Sequence, residues 1–359
     1  MVTEEAARKN LLNELIDLYL KPIVKKVDAE ALYPREYLTK LGTSGLLPSR
    51  RLPEPVIVTE GVRLVEETSK VCMTTGFNLW CHLTAMTYLR RSGNPYLLAN
   101  VLPRLENGEM LGGTGLSNPM KYYAGLEKLC LKARRSESGY ILSGVLPSVS
   151  NLGADHGFGV VAAVDDDTRI MAFIRCSSEG LTLREKVHYI GINGSATYSC
   201  EFDDVFVPDE WILSEQADAF VASIRPQFLM YQIPLGLGVT DASIQSMYKV
   251  RDRQSGCCSY IGVQPDDLEA ELAPLRETIY RLASSDHLSQ LWPEAVKARL
   301  EITYLTLKAV QTCMLHYGGA GYLQNSSPSR RLREAYFLSN LTPTVKHLEK
   351  MRCLQTSGR

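Results

Sequence analysis

The sequence has no excess of charge of either sign. Its 359 residues include 39 Lys and Arg against 40 Asp and Glu, which leaves a formal net charge of -1. Nucleic acids and anionic membranes are bound through basic surfaces, so this balance predicts neither partner. No apolar run approaches the ~20 residues that a membrane-spanning helix needs.

The N-terminal segment lacks the features of a targeting sequence. Glu4, Glu5 and Glu14 interrupt its apolar residues. A signal peptide has a continuous apolar core, and a transit peptide is poor in acidic residues. We therefore expect a cytoplasmic protein.

The nine cysteines form no pattern typical of a metal centre or a disulfide framework. Their number is odd, and the sequence contains no C-x-x-C pair. Such scattered cysteines among apolar neighbours are typical of reduced core residues in a cytosolic protein. We predict no metal site and assign no role to the adjacent pair Cys257 and Cys258.

Apolar residues recur at helical spacing in the first and last parts of the chain. Helices are predicted within residues 7–27, 34–47 and 58–93, with breaks at Pro34, at Pro53 and Pro55, and at Gly93. Short runs rich in β-branched and aromatic residues lie between residues 126 and 208, and helical spacing returns after Pro208. The sequence therefore predicts an α+β protein with a helical domain over 1–110, a β domain over 111–212 and a helical domain over 213–359.

Three ordered segments carry a resemblance to a known family. They are GGTGLSNP (112–119) with GYILSGVLPSVSNLGAD (139–155), then EGLTLREKVHYIGINGSATYSCEFDDVFVPDEWIL (179–213), then YGGAGYLQNSSPSRRLREAYF (317–337). In this order they resemble the acyl-CoA dehydrogenase family of flavoenzymes. The resemblance implies an N-terminal helical domain, a middle β-barrel and a C-terminal four-helix bundle, with FAD between barrel and bundle.

The resemblance implies that the barrel supplies hydrogen-bond donors to the flavin. Ser117 and Ser150 stand where the family has threonines, and Asn151 follows Ser150. A flavin accepts a hydride only when its ring is held and polarised by such donors. A serine in a turn also caps its own backbone, and that alternative stays open. Ser148 stands where many members have a tryptophan that screens the flavin.

The resemblance also implies a site for the flavin's pyrophosphate. Arginine side chains and backbone amides suit such a dianion. Arg253, with Arg251 as the alternative, corresponds to the family's arginine. The glycine loop supplies three further candidates, Gly318, Gly319 and Gly321. The last candidate is Thr344, which corresponds to the threonine of the family's Y-E-G-T motif.

The catalytic base of the family is missing at both of its usual positions. Oxidation of a thioester removes a proton from Cα, for which the family uses a glutamate. Thr342 stands at one glutamate position and Gln227 at the other, and neither is a base near neutral pH. Asp218 and Asp241 are the nearest carboxylates to the second position. The catalytic residues therefore stay unassigned.

Three functions remain open for a chain with this pattern. The first is a flavin-dependent oxidoreductase acting on an acyl thioester bound to coenzyme A or a carrier protein, as a homodimer or tetramer or as a heteromer with a paralogous subunit. The second is a flavin-dependent monooxygenase, which needs no such base. The third is a catalytically silent subunit.

Overall fold

The computed structural model describes residues 4–186 and 188–356. Its first part consists of six α-helices, which are α1 (Glu4–Leu15), α2 (Val24–Ala29), α3 (Arg35–Thr43), α4 (Glu54–Val71), α5 (Met73–Ser92) and α6 (Leu102–Glu106). Helix α5 is the centre of this part, because every residue from Met73 to Leu89 is buried. It ends at Gly93, whose φ of 66° suits a residue without a side chain.

Eight strands form one sheet in the middle of the chain. They are β1 (Gly112–Thr114), β2 (Leu131–Ser136), β3 (Gly139–Val149), β4 (Gly157–Ala163), β5 (Arg169–Arg175), β6 (Leu181–Lys186), β7 (Thr197–Pro208) and β8 (Ile212–Ser214). Neighbouring strands follow the order β6-β7-β3-β2-β4-β5-β8, and β1 pairs with β4 in parallel. A short helix, α7 (Ser117–Tyr123), follows β1.

The last part is again helical. It contains α8 (Ala217–Met230), α9 (Ile233–Val250), α10 (Pro265–Ala283), the 26-residue α11 (Trp292–Tyr317), α12 (Ser327–Asn340) and α13 (Val345–Thr356). Local signals in the sequence set some of these ends. The Ser326 hydroxyl accepts a hydrogen bond from the Ser329 amide and caps α12, and α11 stops at Gly318.

The predicted fold class is confirmed, and one predicted helix is wrong. The sequence pattern joins residues 58–93 into one helix, whereas the structure separates α4 from α5 at Cys72, whose backbone is extended. The buried carboxylate of Glu334, on α12, accepts hydrogen bonds from the Thr74 amide at 3.1 Å and the Thr74 hydroxyl at 3.2 Å. A carboxylate at the start of a helix satisfies its free amides, and this one comes from 260 residues away.

The change from helices to strands and back falls near the predicted domain boundaries at 110 and 212. The division into three separate domains stays a prediction. Among the described residues, no helix is long and apolar enough to cross a membrane.

Phe158 tests the packing of the sheet. Its side chain on β4 is fully buried, with its ring centre 6.2 Å from that of Phe202. Replacement by alanine leaves a cavity, so we expect Phe158→Ala to lower the free energy of unfolding by about 3–5 kcal/mol in chemical denaturation. Phe206→Ala is the matched control on β7, because that ring is 45% exposed, and it should cost roughly 0.5 kcal/mol or less. Equal losses for the two variants would contradict this packing.

Candidate active site

A cavity lies where the sheet meets α5, α8 and α12. Its volume is about 740 Å³, which includes the part that is open to solvent. The segment between α12 and α13 closes one side through Leu341 and Thr342.

Hydroxyl groups line one side of the cavity. They belong to Thr114, Ser117, Ser148, Ser150, Thr197 and Thr342. The Ser150 and Thr197 hydroxyls lie 2.7 Å apart, and the Ser195 hydroxyl is 2.7 Å beyond Thr197. Ser148 is exposed, and its hydroxyl donates to the carbonyl of Pro147. Position 148 thus contributes only a small side chain to the cavity wall.

Aromatic and aliphatic side chains form the other side. They are Phe77, Trp80, Ile192, Phe228, Phe337 and Leu341. The rings of Phe77 and Trp80 are stacked, with centres 5.3 Å apart, and the Phe337 ring stands edge-on to Phe77 at 4.8 Å. The Trp80 indole N–H donates to the carbonyl of Phe228 at 2.9 Å, which fixes this wall to α8.

The loop that presents Ser150 is held in place by its neighbour Asn151. Asn151 is fully buried and has a φ of 63°, a conformation that asparagine adopts more readily than most residues. Its amide donates to the carbonyl of Gly112 at 2.8 Å, and its oxygen accepts from the Tyr33 hydroxyl at 2.6 Å. Asn151 is not among the residues that line the cavity, and its side chain supports the loop. Its predicted role in binding the flavin stays a prediction.

Strand β1 approaches this loop closely. A Cβ on Gly113 would lie 2.5 Å from the carbonyl oxygen of Ser150, so a larger residue would push the two segments apart. The glycines of the GGTGLSNP segment therefore allow Thr114 and Ser150 to form a bridge at the edge of the cavity.

Thr342 lies in the cavity wall and contacts both the sheet side and the helical side. Its hydroxyl is 3.1 Å from that of Ser117, at the start of α7. Its backbone carbonyl accepts a hydrogen bond from the Gln232 side chain at 2.8 Å. The position at which the family resemblance implies a glutamate thus faces the cavity but carries a neutral hydroxyl.

The described residues that line the cavity include no Asp, Glu, His, Lys or Arg. Gln227 lies outside this lining, and its amide donates to the Glu54 carboxylate at 2.7 Å. Asp218 pairs with Arg169 at 2.7 Å, and Asp241 pairs with Arg276 at 2.9 Å. The cavity thiol of Cys81 is fully buried, and burial raises its pKa well above the usual value. It therefore stays protonated near neutral pH.

The predicted pyrophosphate residues do not line the cavity of the same chain. Gly318 and Gly319 are exposed at the end of α11, and Arg253 is exposed in the loop after α9. The two segments are neighbours, since the His316 ring contacts the carbonyl of Val263 at 3.0 Å. Gly321 is buried beside Tyr317.

The Thr344 hydroxyl accepts from the His347 amide at 3.4 Å, at the start of α13, and Thr344 likewise lies outside the cavity lining. This contact is that of a helix cap, and a role of Thr344 in binding FAD stays a prediction.

A flavin ring fits the cavity's composition. The ring is flat and aromatic on both faces and carries polar atoms along one edge, which matches an aromatic wall opposite a row of hydroxyls. The described residues contain no cluster of His, Cys, Asp and Glu that could hold a metal ion.

Sequence patterns had not identified the aromatic wall. Phe77 and Trp80 lie on a helix that is buried all round, so no polar face marks them as cavity residues. Ile192 lies on a loop with a φ of 60°, which is rare for a β-branched residue and which no sequence signal predicts.

A second groove adjoins the cavity at α7, α8 and α13. Met120, one turn beyond Ser117, faces this groove, and Arg225, His347 and Lys350 also line it. Its empty volume is about 940 Å³, counted out to open solvent. The groove thus combines apolar side chains with the two cations Arg225 and Lys350 and with the carboxylate of Asp218, which pairs with Arg169.

Comparison with known proteins agrees with this geometry. Residues 3–109 match the family model for the N-terminal domain of acyl-CoA dehydrogenases. The chain is similar to the short-chain specific acyl-CoA dehydrogenase of Clostridium acetobutylicum, at 23% identity over 100% of this chain and 98% of that protein.

Two solved structures share the fold at low identity. A glutaryl-CoA dehydrogenase from Mycobacterium smegmatis in complex with FADH2 superposes with a TM-score of 0.80 at 18% identity, over 100% of this chain and 96% of the other. The prolyl acyl carrier protein oxidase AnaB superposes with a TM-score of 0.82 at 16% identity, over 97% and 98%. The family-model match and these likenesses, which extend along the whole chain, identify it as an acyl-CoA dehydrogenase-like protein.

Proposed function

We propose that the protein binds FAD and oxidises an acyl thioester in the cavity between the sheet and α5, α8 and α12. The observation that carries this proposal is the row of hydroxyls facing Phe77 and Phe337. The bound flavin would accept a hydride from the substrate. Ser117 and Ser150 would hold and polarise the polar edge of the ring, and the aromatic side chains would exclude water from its face.

The groove beside the cavity supports a thioester with a long, phosphate-bearing arm. Arg225 and Lys350 provide positive charge at its rim, and Met120 and Val221 provide apolar contacts. Both coenzyme A and the arm of a carrier protein combine an amide chain with phosphate. The likeness to the prolyl acyl carrier protein oxidase AnaB supports carrier-bound thioesters as substrates as well.

We propose further that no side chain of this chain acts as the base. Thr342, which corresponds to the family's glutamate by sequence resemblance, lines the cavity, and the described lining residues carry no carboxylate. The proton from Cα would then pass to hydroxide from the solvent or to a group supplied by a paralogous subunit. Reaction of the protein alone should therefore be slow.

Anaerobic mixing with acyl thioesters tests this function. We expect the purified, FAD-loaded protein to lose its visible flavin absorbance with at least one member of a panel of coenzyme A and pantetheine thioesters. Thr342→Glu restores a carboxylate at the cavity and should accelerate bleaching by about 10²-fold or more, the usual contribution of a general base. Thr342→Gln, of the same size but without a base, is the matched control and should not accelerate it.

A monooxygenase is the second candidate, and the open position at Ser148 favours it because molecular oxygen could reach the ring there. Oxygen consumption with an external flavin reductase, without bleaching by any thioester, would support that function instead. Protein that binds no flavin on reconstitution would contradict both enzymes and favour a silent subunit.

We also propose that two copies of the chain complete the FAD site. The candidate pyrophosphate residues lie outside the cavity of their own chain, beside exposed apolar side chains. These side chains are Tyr260 (90% exposed), Leu315 (67%), Tyr322 (85%) and Leu323 (66%). A patch of this kind favours burial against a second subunit.

Replacing Leu315 by aspartate tests the pairing of subunits. A charge in an apolar interface disfavours association, so we expect Leu315→Asp to sediment as a monomer and to bind FAD about tenfold or more weakly than the unmodified protein. Leu18→Asp changes another exposed leucine (59%) far along the chain and should alter neither property. A Leu315→Asp dimer with unchanged FAD affinity would refute the shared site.

A further inference from the structure

A fully buried arginine lies directly behind the Thr342 segment. Arg299, in the first third of α11, has no exposed surface. Its guanidinium donates to three neutral acceptors, the Gln232 side chain at 3.3 Å, the Leu338 carbonyl at 2.8 Å and the Thr303 hydroxyl. Each of its three nitrogens thus donates one hydrogen bond, but none of these acceptors carries a negative charge.

Two other arginines in the described part of the chain are buried. Arg330 lies 3.8 Å from the Glu334 carboxylate, and Arg331 donates to the Ser246 hydroxyl at 2.7 Å. No ion pair joins Arg299 to any described carboxylate. Burial alone lowers the pKa of Arg299 to about 9, so the side chain is still mainly protonated at neutral pH. A buried cation without an acid is costly to the folded protein, and such costs are typically kept at functional sites.

The contacts of Arg299 lead to the cavity wall. Gln232 accepts from Arg299 and donates its own amide to the carbonyl of Thr342 at 2.8 Å. The Thr342 hydroxyl then faces Ser117 across the wall. Two hydrogen bonds therefore separate the buried cation from a residue that lines the cavity, in a region with no titratable acid in its lining.

We propose that Arg299 is a positioning residue that fixes Thr342 through Gln232 and stabilises negative charge that develops in the cavity. This inference rests on the proposed function for the nature of that charge, which would be the reduced flavin or the enolate of a thioester. In a low-dielectric interior, a fixed cation two hydrogen bonds away has a strong effect because little water screens it. The positive charge remains without an internal partner until the site is loaded and reduced.

A cysteine at position 342 can report this charge without any cofactor. A positive charge nearby favours the thiolate, which is the form that reacts with iodoacetamide. Thr342→Cys is prepared alone and together with Gln232→Glu, which places a carboxylate beside Arg299 without changing the size of the side chain. Alkylation of the residue-342 peptide is followed by mass spectrometry at several pH values in flavin-free protein.

We expect the Gln232→Glu change to slow alkylation at neutral pH by about tenfold, as neutralising a unit charge at this range raises the thiol pKa. Thr303→Val is the matched control, since it removes one hydrogen bond of Arg299 and no charge. It should lower the melting temperature and leave the alkylation rate unchanged. Arg299→Met removes the charge itself and should slow alkylation as much as Gln232→Glu does. Circular dichroism shows whether this variant folds.

Equal alkylation rates with and without Gln232→Glu, in protein that melts normally, would overturn the proposal. A second arm measures the reduction potential of bound FAD, which Gln232→Glu should lower and Thr303→Val should leave unchanged. A thiol response without a change in potential would overturn the link between the charge and the flavin. Failure to bind FAD at all would instead refute the proposed function, while the thiol experiment would remain interpretable.

Discussion

The site depends on how the short segment between α12 and α13 is held. Thr342 contacts Ser117 on the sheet side and receives the Gln232 amide on the helical side. Both contacts join parts of the chain more than 100 residues apart. Because these bonds lie inside the protein, little water competes for them, and they fix the relation of the sheet to the last helices.

A second long-range contact positions the opposite wall. Glu334 caps the start of α5 from α12, and the pKa of its carboxyl is raised by burial. Helix α5 carries Phe77 and Trp80 into the cavity, so the cap helps to set the aromatic wall. The same helix α12 carries Phe337 to the other end of that wall. The cavity is therefore shaped by buried polar contacts between helices, while its own lining remains neutral.

The sequence predicted the architecture better than the chemistry. Helical spacing, proline breaks and alternating strands are local, so α11 and the strand from Thr197 to Pro208 were placed from the pattern alone. The break at Cys72 was missed because its stabilising carboxylate comes from α12. Helix α7 was also missed, because it has only seven residues, too few for a periodic pattern to be recognised.

The sequence likewise predicted only part of the candidate site. Ser117, Ser150 and Thr342 were found from their motifs and do line the cavity, whereas Asn151 supports the loop from behind. Arg299 and Gln232 belong to no motif considered, and their importance depends on burial and on the absence of an acid among their contacts. Burial of one residue against distant ones is a property of the folded chain that no local pattern contains.

The proposed function requires that the cavity holds the flavin and the substrate although none of its side chains acts as the catalytic base. The most direct measurement is the pH dependence of anaerobic flavin reduction by a saturating acyl thioester. Without a protein base, the rate of flavin reduction should rise in proportion to the hydroxide concentration between about pH 6 and 8, because hydroxide removes the proton from Cα. A rate that reaches a plateau, with a titration midpoint in that range, would indicate a protein base in the complex and would contradict the proposed absence of a base.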